Sequence, residues 1–238
     1  MSTVETSADG DVAWIWLNRP ERLNAVAPAL VDDLLRALDE VAGAKAVVLA
    51  GRGRAFCSGH DLKEPAPQGD SRPRLERLQD VTRRLRALPQ PVIAAVHGYA
   101  IGAGAEFALG CDLILAARDA VFAFPETGLG LSVTGAASRL LPLLVGPLKA
   151  KELVLLGERV DAARALELGL VNAVVADAHA AAADWARRIA ERPAGATALA
   201  KRALDHGIDL AAALELEVSH ALITEHTAEG ADAPRGTP

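Results

Sequence analysis

The sequence predicts an α/β fold with a helical C-terminal region. Three observations lead to this prediction. Over the first 175 residues, short apolar runs of strand length alternate with amphipathic helical patterns, and Gly, Pro or charged residues bound the runs. The rest of the chain carries almost only helical patterns. With 238 residues, the chain is long enough to bury its own hydrophobic core.

The N-terminal elements are a strand, a helix and a second strand. The β-prone run 12–17 ends at a turn sequence, Asn18-Arg19-Pro20. In 28–41 the leucines recur at helical spacing, and a proline at the start suits the first turn of a helix. The continuous apolar run 46–50 predicts a buried strand that leads into a loop.

The middle of the chain continues the alternation. A passage rich in proline and charge, 65–73, predicts a surface loop, and two prolines end the helical pattern that follows it. Helices are predicted at 75–88 and 103–109, and strands at 92–96, 112–117 and 121–124.

The C-terminal part is predicted to be helical, with one strand at 171–175. The predicted helices are 136–144, 147–156, 162–168, 178–191, 194–206 and 210–227. The polar end of the chain, 229–238, has the composition of a disordered tail.

Composition and charge argue against several classes of protein. The formal net charge is −6, and the basic residues are scattered, so no nucleic-acid footprint is indicated. The two cysteines, Cys57 and Cys111, have no paired spacing, which disfavours a disulfide framework or a zinc site and fits a reducing compartment. The polar N-terminus lacks the pattern of a secretory signal, and no apolar stretch is long enough to cross a bilayer. We therefore expect a cytoplasmic protein with no membrane partner.

Two strand ends are flanked by glycines, in Ser58-Gly59-His60-Asp61 and Gly102-Ala103-Gly104. Glycine allows a tight turn and a close approach of ligand to backbone, so main-chain N–H groups can face a cleft. The second segment also opens a helix, whose dipole favours negative charge. Either segment alone could simply be a turn; together they could hold one anionic oxygen.

Two better-known glycine motifs do not fit these segments. A dinucleotide-binding loop needs a third small residue where Phe107 stands, and no acidic ribose partner is evident. A nucleophile elbow around Ser132 would need glycine in place of Thr134.

Two glutamates lie among apolar neighbours. Glu106 follows Gly104-Ala105, and Glu126 follows Phe124-Pro125. A carboxylate in such a setting either has a partner or has a raised pKa, and both are common in general acid–base sites. Each glutamate could equally be surface-exposed or ion-paired.

Several segments resemble the crotonase family, the enoyl-CoA hydratase/isomerase superfamily. They are 18–25, 55–63, 91–112, 124–126, 141–146 and 162–171, which together sample nearly the whole chain. The resemblance implies a crotonase-type ββα spiral core over 1–175, a helical C-terminal region over 176–228, and a tail. It also implies a homotrimer or a homohexamer.

The resemblance assigns a role to each candidate site residue. The backbone N–H groups of His60 and Ala103 would form an oxyanion hole for a thioester carbonyl. Glu106 and Glu126 match the two glutamates of family hydratases, so Glu106 would deprotonate a water and Glu126 would protonate the α-carbon. This chemistry needs no metal and no cofactor beyond the coenzyme A of the substrate.

Candidate contacts for coenzyme A are Arg22, the backbone near Ala55 and Ser58, and Lys63, because the ligand's phosphates need cations and its adenine can pair with main-chain atoms. Arg22 and Lys63 could equally be solvated surface charges. Asp61 is expected to fix its loop by local hydrogen bonds.

Two departures from the family pattern concern substrate and cofactor. The sequence Val133-Thr134-Gly135-Ala136-Ala137 replaces a glycine-rich run that shapes the acyl pocket, and 231–234 lacks the aromatic and basic residues that close the coenzyme A site in relatives. The favoured function is enoyl-CoA hydration. The alternatives are an enoyl-CoA isomerase that uses Glu126, other crotonase reactions such as thioester hydrolysis or decarboxylation, and a noncatalytic acyl-CoA-binding or scaffolding protein.

Overall fold

The computed structural model describes residues 2–63 and 70–206. The strands in this part of the chain are β1 (Val4–Asp9), β2 (Val12–Leu17), β3 (Ala46–Gly51), β4 (Val92–Val96), β5 (Tyr99–Ile101), β6 (Leu113–Ala117), β7 (Val121–Ala123), β8 (Val160–Asp161) and β9 (Ala173–Val175). The helices are α1 (Pro28–Glu40), α2 (Arg72–Ala87), α3 (Ala103–Gly110), α4 (Ala137–Val145), α5 (Pro147–Leu156), α6 (Ala162–Glu167), α7 (Ala178–Ala190) and α8 (Ala194–His206). Two 3-10 turns occupy Pro20–Arg22 and Glu126–Leu129.

The strands form two sheets. The larger has the order β1-β2-β3-β4-β6-β9; β1 pairs antiparallel with β2, and every other pair is parallel. The smaller has the order β5-β7-β8, with β5 and β7 parallel and β8 antiparallel to β7. The predicted α/β class is confirmed.

The inner strands of the larger sheet, β2, β3, β4 and β6, are buried on both faces, which explains why they are continuous apolar runs rather than alternating ones. On one face, side chains such as Ile15 and Leu49 pack with α1, α2 and α3 in the main core. On the other face, Trp14, Val48 and Ile93 pack against α7. The buried residues of α7 are all alanines, Ala178, Ala182, Ala186 and Ala190, so the helix can lie close to the sheet.

Three strands were not predicted. Strand β1 is an edge strand in which only Val4 is buried, so it carries little hydrophobic signal, and its hairpin turn depends on Gly10 at φ +60°. Strands β5 and β8 have only three and two residues, respectively. They are recognised by their pairing with β7, which is distant in sequence. The prediction that 171–175 is the only strand of the C-terminal part was therefore wrong.

Some boundaries also differ from the prediction. Helix α2 begins at Arg72 rather than residue 75 because Pro73 fits its first turn, which shortens the predicted 65–73 loop. Residues 65–69 of that loop, the predicted 210–227 helix and the predicted 229–238 tail lie outside the described residues. Within the described ranges, none of the helices has the length and apolar character that a bilayer crossing requires.

Candidate active site

The loop that follows β3 is held against β5 by main-chain hydrogen bonds. The N–H of Phe56 donates to the carbonyl of His97 at 2.8 Å, and the N–H of Cys57 donates to that of Tyr99 at 2.8 Å. The N–H of Ile101 returns a bond to the carbonyl of Cys57 at 3.0 Å. This parallel pairing brings the end of the loop to the start of α3.

The backbone of His60 is oriented by a parallel bridge to Val26. The N–H of Val26 donates to the carbonyl of Gly59 at 2.8 Å, and the N–H of Asp61 donates to the carbonyl of Val26 at 3.0 Å. Because both neighbours of His60 bond to Val26, the N–H of His60 itself faces the opposite side. It has no backbone acceptor within residues 2–63 and 70–206.

Two glycines allow the loop and the helix start to meet backbone to backbone. Gly59 has φ +89°, and a methyl group added there would lie 2.7 Å from the carbonyl oxygen of Ile101. A methyl group at Gly104 would lie 2.2 Å from the carbonyl oxygen of Cys57. Any side chain at either position would separate the two segments, so glycine is required here.

Helix α3 begins at this meeting point. Its N-cap, Gly102, has φ +53° and ψ −123°, and its N–H donates to the carbonyl of Ala123 in β7 at 2.9 Å. The first intrahelical bond runs from the N–H of Glu106 to the carbonyl of Gly102. The N–H of Ala103 is therefore one of the unpaired donors of a helix N-terminus, with no backbone acceptor among the residues described.

Glu126 stands beside this helix start, in the 3-10 turn after β7. It is 7% exposed, and its Oε2 atom is buried without a hydrogen-bond partner in the described part of the chain. A methyl group added at Gly102 would lie 3.0 Å from Oε1 of Glu126. Burial raises the pKa of Glu126, and negative charge on Glu106 raises it further against the opposing effect of its own backbone N–H.

Glu106 lies on α3, one turn beyond Ala103, and is 2% exposed. The N–H of Thr134 donates to its Oε1 at 2.5 Å, and the hydroxyl of Thr134 donates to its Oε2 at 2.5 Å. Burial raises the pKa of Glu106, while both bonds from Thr134 oppose that rise. Sequence reasoning missed this role of Thr134, because nothing in its local pattern indicates a contact 28 residues away.

The loop that carries Thr134 is fixed at several points. The hydroxyl of Thr82, on α2, donates to the carbonyl of Gly135 at 3.2 Å. The N–H of Ala137 donates to the carbonyl of Thr134 at 2.8 Å at the start of α4. Gly135 has φ +55°, and a methyl group there would lie 2.7 Å from Cβ of Glu106. Glu106 therefore packs directly on this loop.

Two predicted coenzyme A contacts, Arg22 and Lys63, lie next to Asp61: Arg22 through its guanidinium group and Lys63 through its backbone N–H. The carboxylate of Asp61 lies 3.0 Å from Arg19 and 3.7 Å from Nε of Arg22, and it accepts a bond from the N–H of Lys63 at 3.1 Å. Burial would raise the pKa of Asp61, but the Lys63 N–H and the two arginines outweigh it and lower that pKa. Asp61 thus fixes its loop by hydrogen bonds, and Arg22 and Lys63 lie at the edge of that loop.

The carbonyl of Ala55 and the N–H of Ser58 already have hydrogen-bond partners within the protein. Asn24, which is fully buried, donates through Nδ2 to the carbonyl of Ala55 at 2.8 Å. The N–H of Ser58 donates to the carbonyl of Leu23 at 3.0 Å. These bonds tie the turn at 18–25 to the loop after β3.

The two proposed oxyanion donors and both candidate glutamates lie together at the start of α3. His60 and Ala103 carry the two unpaired N–H groups; His60 follows Gly59 in the loop, and Ala103 follows the N-cap Gly102 of α3. Glu126 touches the same N-cap, and Glu106 lies one turn along the helix. Such an arrangement can stabilise a developing negative charge and transfer protons beside it.

Comparison with known proteins finds relatives over most of the chain. The family model for enoyl-CoA hydratase/isomerase matches residues 7–236. A short-chain-enoyl-CoA hydratase of Clostridium acetobutylicum is 36% identical over 91% of this chain and 88% of its own length. A 1,2-epoxyphenylacetyl-CoA isomerase of Escherichia coli is 37% identical over 86% of this chain and 82% of its own length.

Solved structures show the same fold. An enoyl-CoA hydratase from Thermoplasma volcanium superimposes with a TM-score of 0.92 at 30% identity, covering 98% of this chain and 96% of that one. An enoyl-CoA hydratase from Bacillus anthracis gives a TM-score of 0.90 at 34% identity, covering 95% and 92%.

Proposed function

Because the chain belongs to the enoyl-CoA hydratase/isomerase family, we propose that it adds water across the double bond of a 2-enoyl-CoA thioester. The observation that carries the proposal is the convergence of two buried carboxyl groups and two unpaired N–H groups at the start of α3. An isomerase needs only one of these carboxyl groups to move its proton.

The N–H groups of His60 and Ala103 hold the thioester carbonyl oxygen. When water attacks the β-carbon, negative charge moves through the α-carbon onto this oxygen. Two fixed donors, one at a helix N-terminus, stabilise that charge without reorganisation. The substrate is bound in its ground state as a neutral carbonyl, so the donors act mainly on the transition state.

The two glutamates complete the addition. Glu106 accepts a proton from the attacking water as the oxygen bonds to the β-carbon, and protonated Glu126 delivers its proton to the α-carbon. The net change is addition of one water, and transfer of the proton from Glu106 back to Glu126 restores the starting state. The raised pKa of Glu126 suits it to the role of acid.

The coenzyme A moiety is proposed to lie along the loop after β3. Arg22 and Lys63 would face its phosphates, and the backbone near Ala55 and Ser58 would meet its adenine. The support for this placement is that Arg22 and Lys63 lie at the edge of the loop that leads to His60.

We also propose that the protein assembles as a homotrimer or homohexamer. Several leucines of α5 are exposed, with Leu148 at 79%, Leu155 at 67% and Leu156 at 64%. Large exposed apolar side chains that cluster on one helix are typical of a surface covered in an assembly.

Glu106→Gln tests the hydratase proposal. The variant keeps the size of the side chain but removes the base, so we expect hydration of crotonyl-CoA to fall by about 10²–10⁴-fold. The assay follows the loss of the ultraviolet absorbance of the enoyl thioester. Wild-type rates in the variant would exclude Glu106 as the base. A wild-type protein that binds the thioester but turns over no member of an acyl-chain panel would instead be an acyl-CoA-binding protein.

One observation favours an enoyl-CoA isomerase as the second candidate. Glu126 has a buried oxygen without a partner in the described residues, whereas Thr134 engages both oxygens of Glu106. A single free carboxyl group could carry a proton between two carbons of a 3-enoyl-CoA. In that case Glu106→Gln would retain isomerisation and Glu126→Gln would abolish it.

A further inference from the structure

The two carboxyl groups of the site differ in the donors that face them. Glu106 accepts one bond from the N–H and one from the hydroxyl of Thr134, each at 2.5 Å. Glu126 has one oxygen buried with no donor in the part of the chain that the structure describes. Donors to an ionised carboxylate stabilise the charged form, and burial without donors stabilises the neutral form.

We propose that Thr134 is a positioning residue whose hydroxyl holds Glu106 in one orientation and keeps it the ionised member of the pair, so that Glu126 carries the proton. The inference rests on the proposed hydration, in which Glu106 must start as a base and Glu126 as an acid. Two neighbouring carboxyl groups with similar surroundings would share one proton between them. Thr134 removes this ambiguity.

The contact with Thr134 leaves Glu106 able to act. A carboxylate has about four lone-pair sites, so each oxygen of Glu106 can accept a further hydrogen bond from water. The hydroxyl of Thr134 is itself fixed because its loop is tied to Thr82 through Gly135 and packs on Cβ of Glu106. The carboxylate therefore has a defined orientation before any substrate binds.

Other titratable groups lie near α3. His60, at the meeting of the loop and α3, has a pKa that is lowered by burial and by the positive charge of Arg74 on α2. Among the described residues, Glu126 is the titratable group coupled to Glu106. From α2, which packs on α3, Arg86 pairs with Asp112 and Asp205. From α4, Arg139 is exposed to solvent. Thr134 is the residue whose two donors engage Glu106 and leave Glu126 without them.

The test compares Thr134→Val with Thr134→Ser. Valine has the shape of threonine and keeps the N–H donor but lacks the hydroxyl, whereas serine keeps both donors. For Thr134→Val we expect the acid limb of the kcat/KM profile for crotonyl-CoA to move up by about one pH unit, which is about a tenfold loss below the limb. Thr134→Ser should keep the wild-type profile. A merely structural role would change the thermal midpoint without moving the limb.

A second readout does not depend on catalysis. In the Glu126→Gln background the pair is reduced to one carboxyl group, and the infrared difference between this variant and the Glu106→Gln, Glu126→Gln double variant follows the titration of Glu106 in the free protein. Adding Thr134→Val should move that titration up by about one pH unit, whereas Thr134→Ser should not. An unchanged titration in Thr134→Val would overturn the inference. A shifted titration in a protein without hydratase activity would overturn only the proposed function.

Discussion

Replacing Ala103 by proline removes one proposed oxyanion donor with little change to the fold. Ala103 is the first residue of α3, a position where proline is well tolerated because its N–H has no intrahelical acceptor. The preceding residue, Gly102, has φ +53° and is outside the α region that proline disfavours for its predecessor. The ring carbon Cδ of the proline stands where the N–H hydrogen pointed.

The expected loss of activity follows from the removal of one of two hydrogen-bond donors. The site has two proposed donors, His60 and Ala103, and the loss of one donor of this kind costs about 2.7–4 kcal/mol of transition-state stabilisation. The kcat for hydration should therefore fall by about 10²–10³-fold. KM should rise as well, because Cδ takes up space beside the carbonyl oxygen. The helix itself loses no hydrogen bond, so the thermal midpoint should stay close to that of the wild type.

The assay measures kcat and KM for crotonyl-CoA together with the thermal midpoint. Ala103→Gly is the matched control: it retains the N–H, so its kcat should remain near that of the wild type even if the helix loses some stability. A folded Ala103→Pro protein with wild-type kcat would refute the proposal that this N–H stabilises the transition state.

The remaining predictions concern packing at the site and a buried ion pair. Gly102→Ala should lower kcat by about 10²-fold, because its methyl group would lie 3.0 Å from Oε1 of Glu126; steady-state kinetics test this. Gly146→Ala is the control, since it has φ +80° but open space, so it should lose stability without losing activity. Lys201→Met should reduce the free energy of unfolding by about 1.5–3 kcal/mol in chemical denaturation, since it removes the ammonium group 2.8 Å from Asp112 and leaves that carboxylate only Arg86 at 3.8 Å and the N–H of Val92 at 2.7 Å in the described residues. Combining it with Asp112→Asn should recover part of that loss; no recovery would argue against the pair.

Structural elements and site residues could be predicted from the sequence where the local pattern of apolar and charged residues reflects burial. The inner strands of the larger sheet are buried on both faces, so their apolar runs could be recognised. Glu106 and Glu126 were noticeable because charged residues rarely lie among apolar neighbours, and both are buried here. The family resemblance then supplied the roles that local pattern could not.

The features that escaped prediction depend on contacts between distant residues. Strand β1 has one buried residue, Val4, and is defined by its hairpin with β2. Strand β8 has two residues and is recognisable only by its pairing with Phe122. The contact of Thr134 with Glu106 requires the loop before α4 to fold onto α3, which no local pattern specifies.

The bridge between Val26 and His60 has a consequence for redesign of the protein. It aligns peptide groups through main-chain bonds, so the identity of the side chain at position 60 does not determine where its amide points. A library of variants that changes residue 60 but keeps Gly59 should therefore preserve the orientation of this N–H donor in most of its members.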